Sequence, residues 1–238
     1  MDPALYHGHH TTYFEDLPYW ITLADQIPEP ILELGCGTGR VLSPLQQEGI
    51  NIFGLDNEER MLRYLKKQDP DAPVILSDLT NFHLGTKFGL ILLTCNTYST
   101  LTVSQREQAL KTISLHLMEG GIFAASMPSP DDLIAMGDSG EEGPEETFTH
   151  PETGNPVQVS SSWQTRDNEV TIYWHYDHLH PTGQVTRTTN STTHQLDPTE
   201  KYLEELQTNG FEVHTFGDFT RDAFTPDSST LILEARKR

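Results

Sequence analysis

A chain of 238 residues with 35% apolar side chains suffices for one α/β domain with an elaboration, or two small domains at most. Its formal charge of −20, from 35 acidic against 15 basic side chains, argues against a DNA or RNA partner, because such binding rests on neutralising phosphates with Lys and Arg. No stretch approaches the ~20 apolar residues of a membrane span, and residues 1–10 lack a basic-then-apolar leader, so the expectation is a cytoplasmic protein without a membrane partner.

Residues 1–15 are polar, with Tyr6, His7, His9, His10 and Tyr13 close together. Three such histidines can hold a metal or belong to a solvated tail, and at a terminus the tail reading is preferred. Asp16 and Pro18 mark a helix start, and Leu17, Trp20, Ala24 and Ile27 form one helical stripe that docks on a core. Pro28 and Pro30 end that helix, and Ile31 to Leu34 read as a short buried strand. Glycines follow at 35, 37 and 39, then Val41, Leu42 and Leu45 open a helix that stops at Gly49. Strand, glycine turn and helix form the arrangement by which an α/β sheet holds a nucleotide-like ligand. A dinucleotide fingerprint would need glycine at position 40, where Arg40 stands, and no phosphate loop is present.

Asn51 to Leu55 is a second strand ending in Asp56, whose carboxylate can accept hydrogen bonds from both ribose hydroxyls of a nucleoside. The following helix buries Met61, Leu62 and Leu65. Val74 to Leu76 is a third strand ending at Ser77-Asp78, and Phe88 to Thr94 is a continuous apolar run that reads as strand four. Cys36 and Cys95 each end a strand as small core residues, with neither disulfide nor zinc spacing. Ser104 and Glu107 suggest a capping box, Ala109, Leu110, Ile113 and Leu117 an amphipathic helix, and Ile122 to Met127 strand five. Residues 129–156, rich in Pro, Gly and acid, read as a mobile loop. Val157–Trp163, Glu169–His178 and Gln184–His194 then form an antiparallel meander. In its middle run Val170, Ile172, Trp174 and Tyr176 share one face, assigned to packing. Thr171, Tyr173, His175 and Asp177 share the other, which is either where acceptor chemistry sits or a cross-strand polar face toward water, the water-facing reading being preferred for any single residue. Asp197-Pro198-Thr199-Glu200 starts a last helix, and two strands, Phe211–Phe216 and Thr230–Ala235, close the chain.

The stretch E-L-G-C-G-T-G-R resembles motif I of the class I S-adenosylmethionine (AdoMet)-dependent methyltransferases, and N-G-F-E-V…G-D-F…S-S-T-L-I-L-E-A-R-K resembles their closing segment. The resemblance runs from about residue 13 to the C-terminus and is loosest across 129–195. Gly89 departs from it, since family members usually carry Asp there. It implies a Rossmann-like seven-stranded sheet of order 3-2-1-4-5-7-6, strand 7 antiparallel, with a small antiparallel cap. Residues 1–128 and 196–238 would form the cofactor domain, and 129–195 the acceptor cap. The cofactor implied is AdoMet, held by Tyr6, Tyr13, Glu33, Gly35, Cys36, Gly37, Asp56, Asn57, Met61, Asp78, Leu79 and Thr94. Asp78 and the Leu79 backbone would meet the adenine, although Asp78 could equally cap a turn. In the family the leading segment folds over the cofactor as a lid, which would put Tyr6 or Tyr13 near the sulfonium.

The activity implied is methyl transfer to a small molecule, an amine or a hydroxyl, held between residues 95–100 and the meander. The meander after strand five is similar to that of small-molecule N-methyltransferases. Eleven acidic and two basic side chains between Pro128 and Leu196 give that region a net charge of −9, which favours a cationic or neutral acceptor. His175, beside Tyr173 and Asp177, is the candidate proton acceptor, and Tyr13 the candidate catalytic partner near the sulfonium. No metal is expected. Rival readings are a non-catalytic AdoMet-binding sensor or partner subunit, and an NAD(P)-dependent oxidoreductase, which Arg40 disfavours. The assembly expected is a monomer or a homodimer.

Overall fold

A computed structural model describes residues 2–238. In chain order the elements are α1 (Pro3–His10), α2 (Leu17–Asp25), β1 (Ile31–Leu34), α3 (Leu42–Gln47), β2 (Ile52–Asp56), α4 (Glu59–Gln68) and β3 (Val74–Leu76). Then come β4 (Phe88–Leu93), α5 (Thr97–Thr100), α6 (Val103–His116), β5 (Leu117–Pro128) and α7 (Pro130–Ala135). The meander is β6 (Ser139–Thr149), β7 (Pro156–Arg166), β8 (Glu169–Leu179) and β9 (Val185–Gln195), and α8 (Thr199–Thr208), β10 (Phe211–Phe216) and β11 (Thr230–Lys237) end the chain.

Seven strands form one sheet in the order β10-β11-β5-β4-β1-β2-β3, with β11 antiparallel to both neighbours. Counting only these strands, this is the expected 3-2-1-4-5-7-6 order. The central strands are buried on both faces, which is why β4 reads as an unbroken apolar run. Alternation sends Leu32, Leu34, Ile91 and Leu93 toward α6 and α8, and Ile31, Leu90 and Leu92 toward α2, α3 and α4. Arg106, fully buried on the first face, joins α6 to α8 through Asp197 at 2.6 Å and Glu205 at 2.7 Å. The glycine at position 89 has a local cause. A Cβ there would collide with the Pro28 carbonyl, so the turn before β1 leaves no room for an aspartate.

Several expectations are corrected. Residues 129–156 hold α7 and β6, not a loop, so the meander has four strands in the order β6-β7-β8-β9. Glycine and acid misled because β6 is an edge strand, where exposed charge and bulges are how a sheet edge is kept from further pairing. Gly140 is required there, since its Cβ would strike the Trp163 ring. The capping box of α6 is Thr102 with Gln105, because the helix starts two residues earlier than Ser104 implies. Leu117 belongs to β5. Asp197 does not cap α8; its carboxylate is committed to Arg106 and Lys201.

The four-stranded sheet lays Val157, Val159 and Tyr176 against Leu5 of α1 and Phe148 of β6. Helix α1 therefore lies between the two sheets, capped by Asp2, which accepts from the Ala4 and Leu5 amides at 2.9 and 3.1 Å. The N-terminal segment is a docked helix rather than a tail.

Candidate active site

The glycine turn is built from left-handed backbone. Gly35, Gly37 and Gly39 have φ of +67°, +52° and +85°, a region that side chains with a Cβ seldom occupy. The turn is held from below by Asp56 at the end of β2, whose Oδ2 accepts from the Gly37 amide and Oδ1 from the Glu58 amide, both at 2.8 Å. Above it lies Tyr6 of α1, whose ring would stand 3.5 Å from a Cβ on Gly37. Between them is a cavity of about 340 Å³ lined by Tyr6, Gly35, Gly37, Asp56, Asn57, Met61, Ser77 and Leu79, with Thr97 and Thr100 at one end.

Of the other expected cofactor residues, Glu33 lies at the core end of the turn. Its Oε1 accepts from the Thr94 hydroxyl at 3.0 Å, while Oε2 is sealed with no partner among the described residues. Burial pushes its carboxyl up to about 8. Thr94 therefore holds Glu33 rather than lining the cavity. Cys36 turns its sulfur into the core against Gly54, where a Cβ would stand 2.6 Å from it, and only its backbone faces the turn. Asp78 is exposed and adopts the capping arrangement, its Oδ1 accepting from the Thr80 amide and hydroxyl at 2.8 and 2.7 Å; Ser77 and Leu79 on either side line the cavity instead.

A larger cavity of about 820 Å³ opens from the same Tyr6, Thr97 and Thr100 toward the meander. Helix α1 and the segment after it contribute His9, His10, Tyr13 and Glu15; the sheets contribute Cys95, Asn96, Ser126, Trp174, Thr192 and His194. Cys95 and Asn96 both have positive φ, 58° and 67°. That costs of order 1–3 kcal/mol per residue and turns α5 so that Thr97 stands against Gly35. On the opposite wall Arg40 grips the Asp16 carboxylate at 2.7 and 2.6 Å and reaches the Cys95 sulfur at 2.9 Å. The Tyr13 ring lies 5.6 Å from that guanidinium, and its hydroxyl is pushed up to about 12, first by burial and then by the nearby Asp16 charge.

His175 does not reach this cavity. Its ring meets Ser162 at 3.2 Å and Thr189 at 2.9 Å on the outer face of the meander, with Asp177 beside it bound to Arg187. The face assigned to packing does pack, with Val170 and Tyr176 buried, and it is this face that also carries Trp174 into the cavity, while His175 stays on the polar outer face. The reason is tertiary. The apolar residues mark the inward face of β8, but only the docking of α1 on Tyr176 shows that the cavity lies against that same face. His9, His10, His194, Asp16 and Arg40 went unassigned for the same reason. Burial lowers the histidines on this wall, His10 to about 3 and His194 to about 4, which keeps the rings neutral. Among the described residues no His, Cys, Asp and Glu group has metal-ligating geometry, and no helix is long and apolar enough to cross a membrane.

The chain matches the family described as "Methyltransferase domain" over residues 31–121, and this match, the fold and the glycine turn over Asp56 support a class I AdoMet-dependent methyltransferase. It is similar over nearly its whole length to the Bacillus subtilis protein YqeM, named as a methyltransferase, at 25% identity over 98% of this chain and 97% of that one. It is 31% identical to the dTDP-3-amino-3,4,6-trideoxy-alpha-D-glucopyranose N,N-dimethyltransferase of Streptomyces venezuelae, over 39% of each chain. The fold matches that of an S-adenosylmethionine-dependent methyltransferase from Clostridium acetobutylicum with a TM-score of 0.82, at 15% identity, covering 98% of this chain and 96% of that one. These findings support AdoMet as the cofactor and methyl transfer as the chemistry.

Proposed function

We propose that the chain methylates a nitrogen of a small amine bound in the larger cavity, and not a nucleic acid or a nucleotide sugar. AdoMet itself supplies a methyl group already activated by its sulfonium, so the protein's work is positioning. The smaller cavity fits that cofactor: Asp56 for the ribose, the Leu79 backbone and Met61 for the adenine, the glycine turn and Asn57 alongside. Tyr6 and Tyr13 offer aromatic faces to the sulfonium. Residues 129–195 act as the acceptor cap.

The observation that carries the acceptor class is the charge of the larger cavity. Arg40 is the one Lys or Arg among its lining residues, and its guanidinium is fully engaged by Asp16. Glu15 lines the cavity, and Glu145 and Glu146 line a recess continuous with it through His9, His10, Tyr13 and Trp174. Such a wall gives a phosphate no counter-charge, whereas an amine finds carboxylates and the Trp174 ring. The similar Streptomyces enzyme bears a dTDP-sugar in its name; this cavity favours an amine without the diphosphate.

The test is a methyl-transfer screen with labelled AdoMet over alkyl amines, free amino sugars, a dTDP-amino sugar, phenols, tRNA and DNA. Turnover should be highest with unphosphorylated amines. Robust labelling of tRNA, DNA or the dTDP-sugar, at levels the simple amines never reach, would overturn the assignment.

A further inference from the structure

We propose that His194 receives the acceptor's N–H: its Nε2 is a fixed hydrogen-bond acceptor on the cavity wall, aligned by a relay through Ser99 to the Asn96 carbonyl. The ring sits at the end of β9, buried, and lines the cavity beside Thr192 and Trp174. Its Nδ1 lies 2.8 Å from the Ser99 hydroxyl, and that hydroxyl lies 2.8 Å from the Asn96 carbonyl oxygen. A hydroxyl has one hydrogen. A carbonyl oxygen can only accept, so Ser99 donates there and must accept from His194. Nδ1 therefore carries the hydrogen and Nε2 the lone pair. Nε2 has no partner among the described residues and is not among the sealed polar atoms, so it is open to the cavity. Burial keeps the imidazole neutral, so Nε2 keeps its lone pair for an N–H donor.

The relay is anchored where it matters. Ser99 belongs to α5, whose Thr97 and Thr100 line both cavities, and Asn96 is the left-handed residue that sets the start of that helix. His194 is thus tied to the turn at which cofactor and acceptor spaces meet. A neutral amine there can point one N–H at Nε2 and leave its lone pair for the methyl carbon. As positive charge grows on that nitrogen the N–H becomes a better donor, so the bond to Nε2 strengthens toward the transition state. The hydrogen stays on nitrogen, and the methylated ammonium loses a proton to water after release. His10 also faces the cavity, but no hydrogen bond fixes either of its nitrogens.

This inference rests on the amine reading for the donor it names, and its test separates the two. Imidazole nitrogen NMR on the full chain with S-adenosylhomocysteine should show His194 in the Nδ1–H form at neutral pH, and Ser99→Ala should mix the two forms. Titrating butylamine should move the Nε2 resonance of His194. His194→Asn keeps a donor for Ser99 and removes Nε2. With the best amine of the screen it should lower kcat about tenfold to a hundredfold, the loss expected for one charge-assisted hydrogen bond, with S-adenosylhomocysteine affinity within about twofold of the parent. An Nε2–H ring in the free protein, no shift with butylamine, or an unchanged kcat in His194→Asn would each overturn the role. Should no amine be methylated, the amine reading fails while the tautomer still decides His194.

Discussion

The Arg40 guanidinium lies on the Asp16 carboxylate in a two-pronged salt bridge, with side chains 8% and 2% exposed. It joins the residue that follows the glycine turn to the head of α2, and the second Asp16 oxygen also accepts from the Trp20 indole at 2.9 Å. The position at which a dinucleotide site would carry its third glycine is thus the clamp between turn and leading helix.

Removing one partner strands a buried charge, a loss of about 3–5 kcal/mol. Arg40→Met should lower the urea midpoint accordingly, and Arg40→Lys should rescue little, because an ammonium cannot reproduce the fork. An Arg40→Met protein as stable as the parent would show the clamp to be dispensable.

Asp56 holds the glycine turn by one oxygen and the start of α4 through the other, and it faces the cavity where the ribose is proposed. Asp56→Ala should weaken AdoMet binding about tenfold to a hundredfold, the worth of a hydrogen bond to a charged group. Calorimetry on the folded variant checks this, and unchanged affinity would remove Asp56 from the site.

Glu33 holds its proton to about pH 8, against an ordinary value of 4.5. The folded state thus binds that proton more tightly than the unfolded chain, so its contribution to stability falls as pH rises from about 4.5 to about 8. Glu33→Gln should flatten that decline in chemical unfolding at a series of pH values.

Helix α1 lines the smaller cavity through Tyr6 and the larger one through Tyr6, His9 and His10. His7 meets Thr38 at 3.1 Å and His9 meets Tyr176 at 2.9 Å, and burial lowers His7, His9 and His10 alike. The docked helix therefore binds fewer protons than the undocked one, so docking is complete above the ordinary histidine pKa of about 6.5 and weakens as pH falls below it. Hydrogen-exchange protection of residues 2–12, corrected for intrinsic rates, should rise with AdoMet at pH about 7.5 and fall at about 5.5. Gly8→Leu should abolish the gain, because a Cβ at that position collides with the Phe148 ring. Equal protection in all four conditions would leave α1 without a gating role.

How much could be read in advance divides along one physical line. Contiguous sequence determined the central strands and the glycine turn, because Ile31–Leu34, Gly35, Gly37, Gly39 and Asp56 act through local backbone conformation and strand-end position, while the strand order followed from the family resemblance. The resemblance of that turn to motif I is what made AdoMet legible as the cofactor. Only the tertiary structure decided that the cavity lies against the packing face of β8, and so brought Trp174 and His194 to it in place of His175. It also turned the acid-rich stretch after β5 into an edge strand and made Asp16 a partner of Arg40 instead of a helix cap. A period of two with apolar residues names the packing face but not where the cavity lies. That comes from what packs against the sheet, here a helix more than 160 residues earlier in the chain, with His9 on Tyr176.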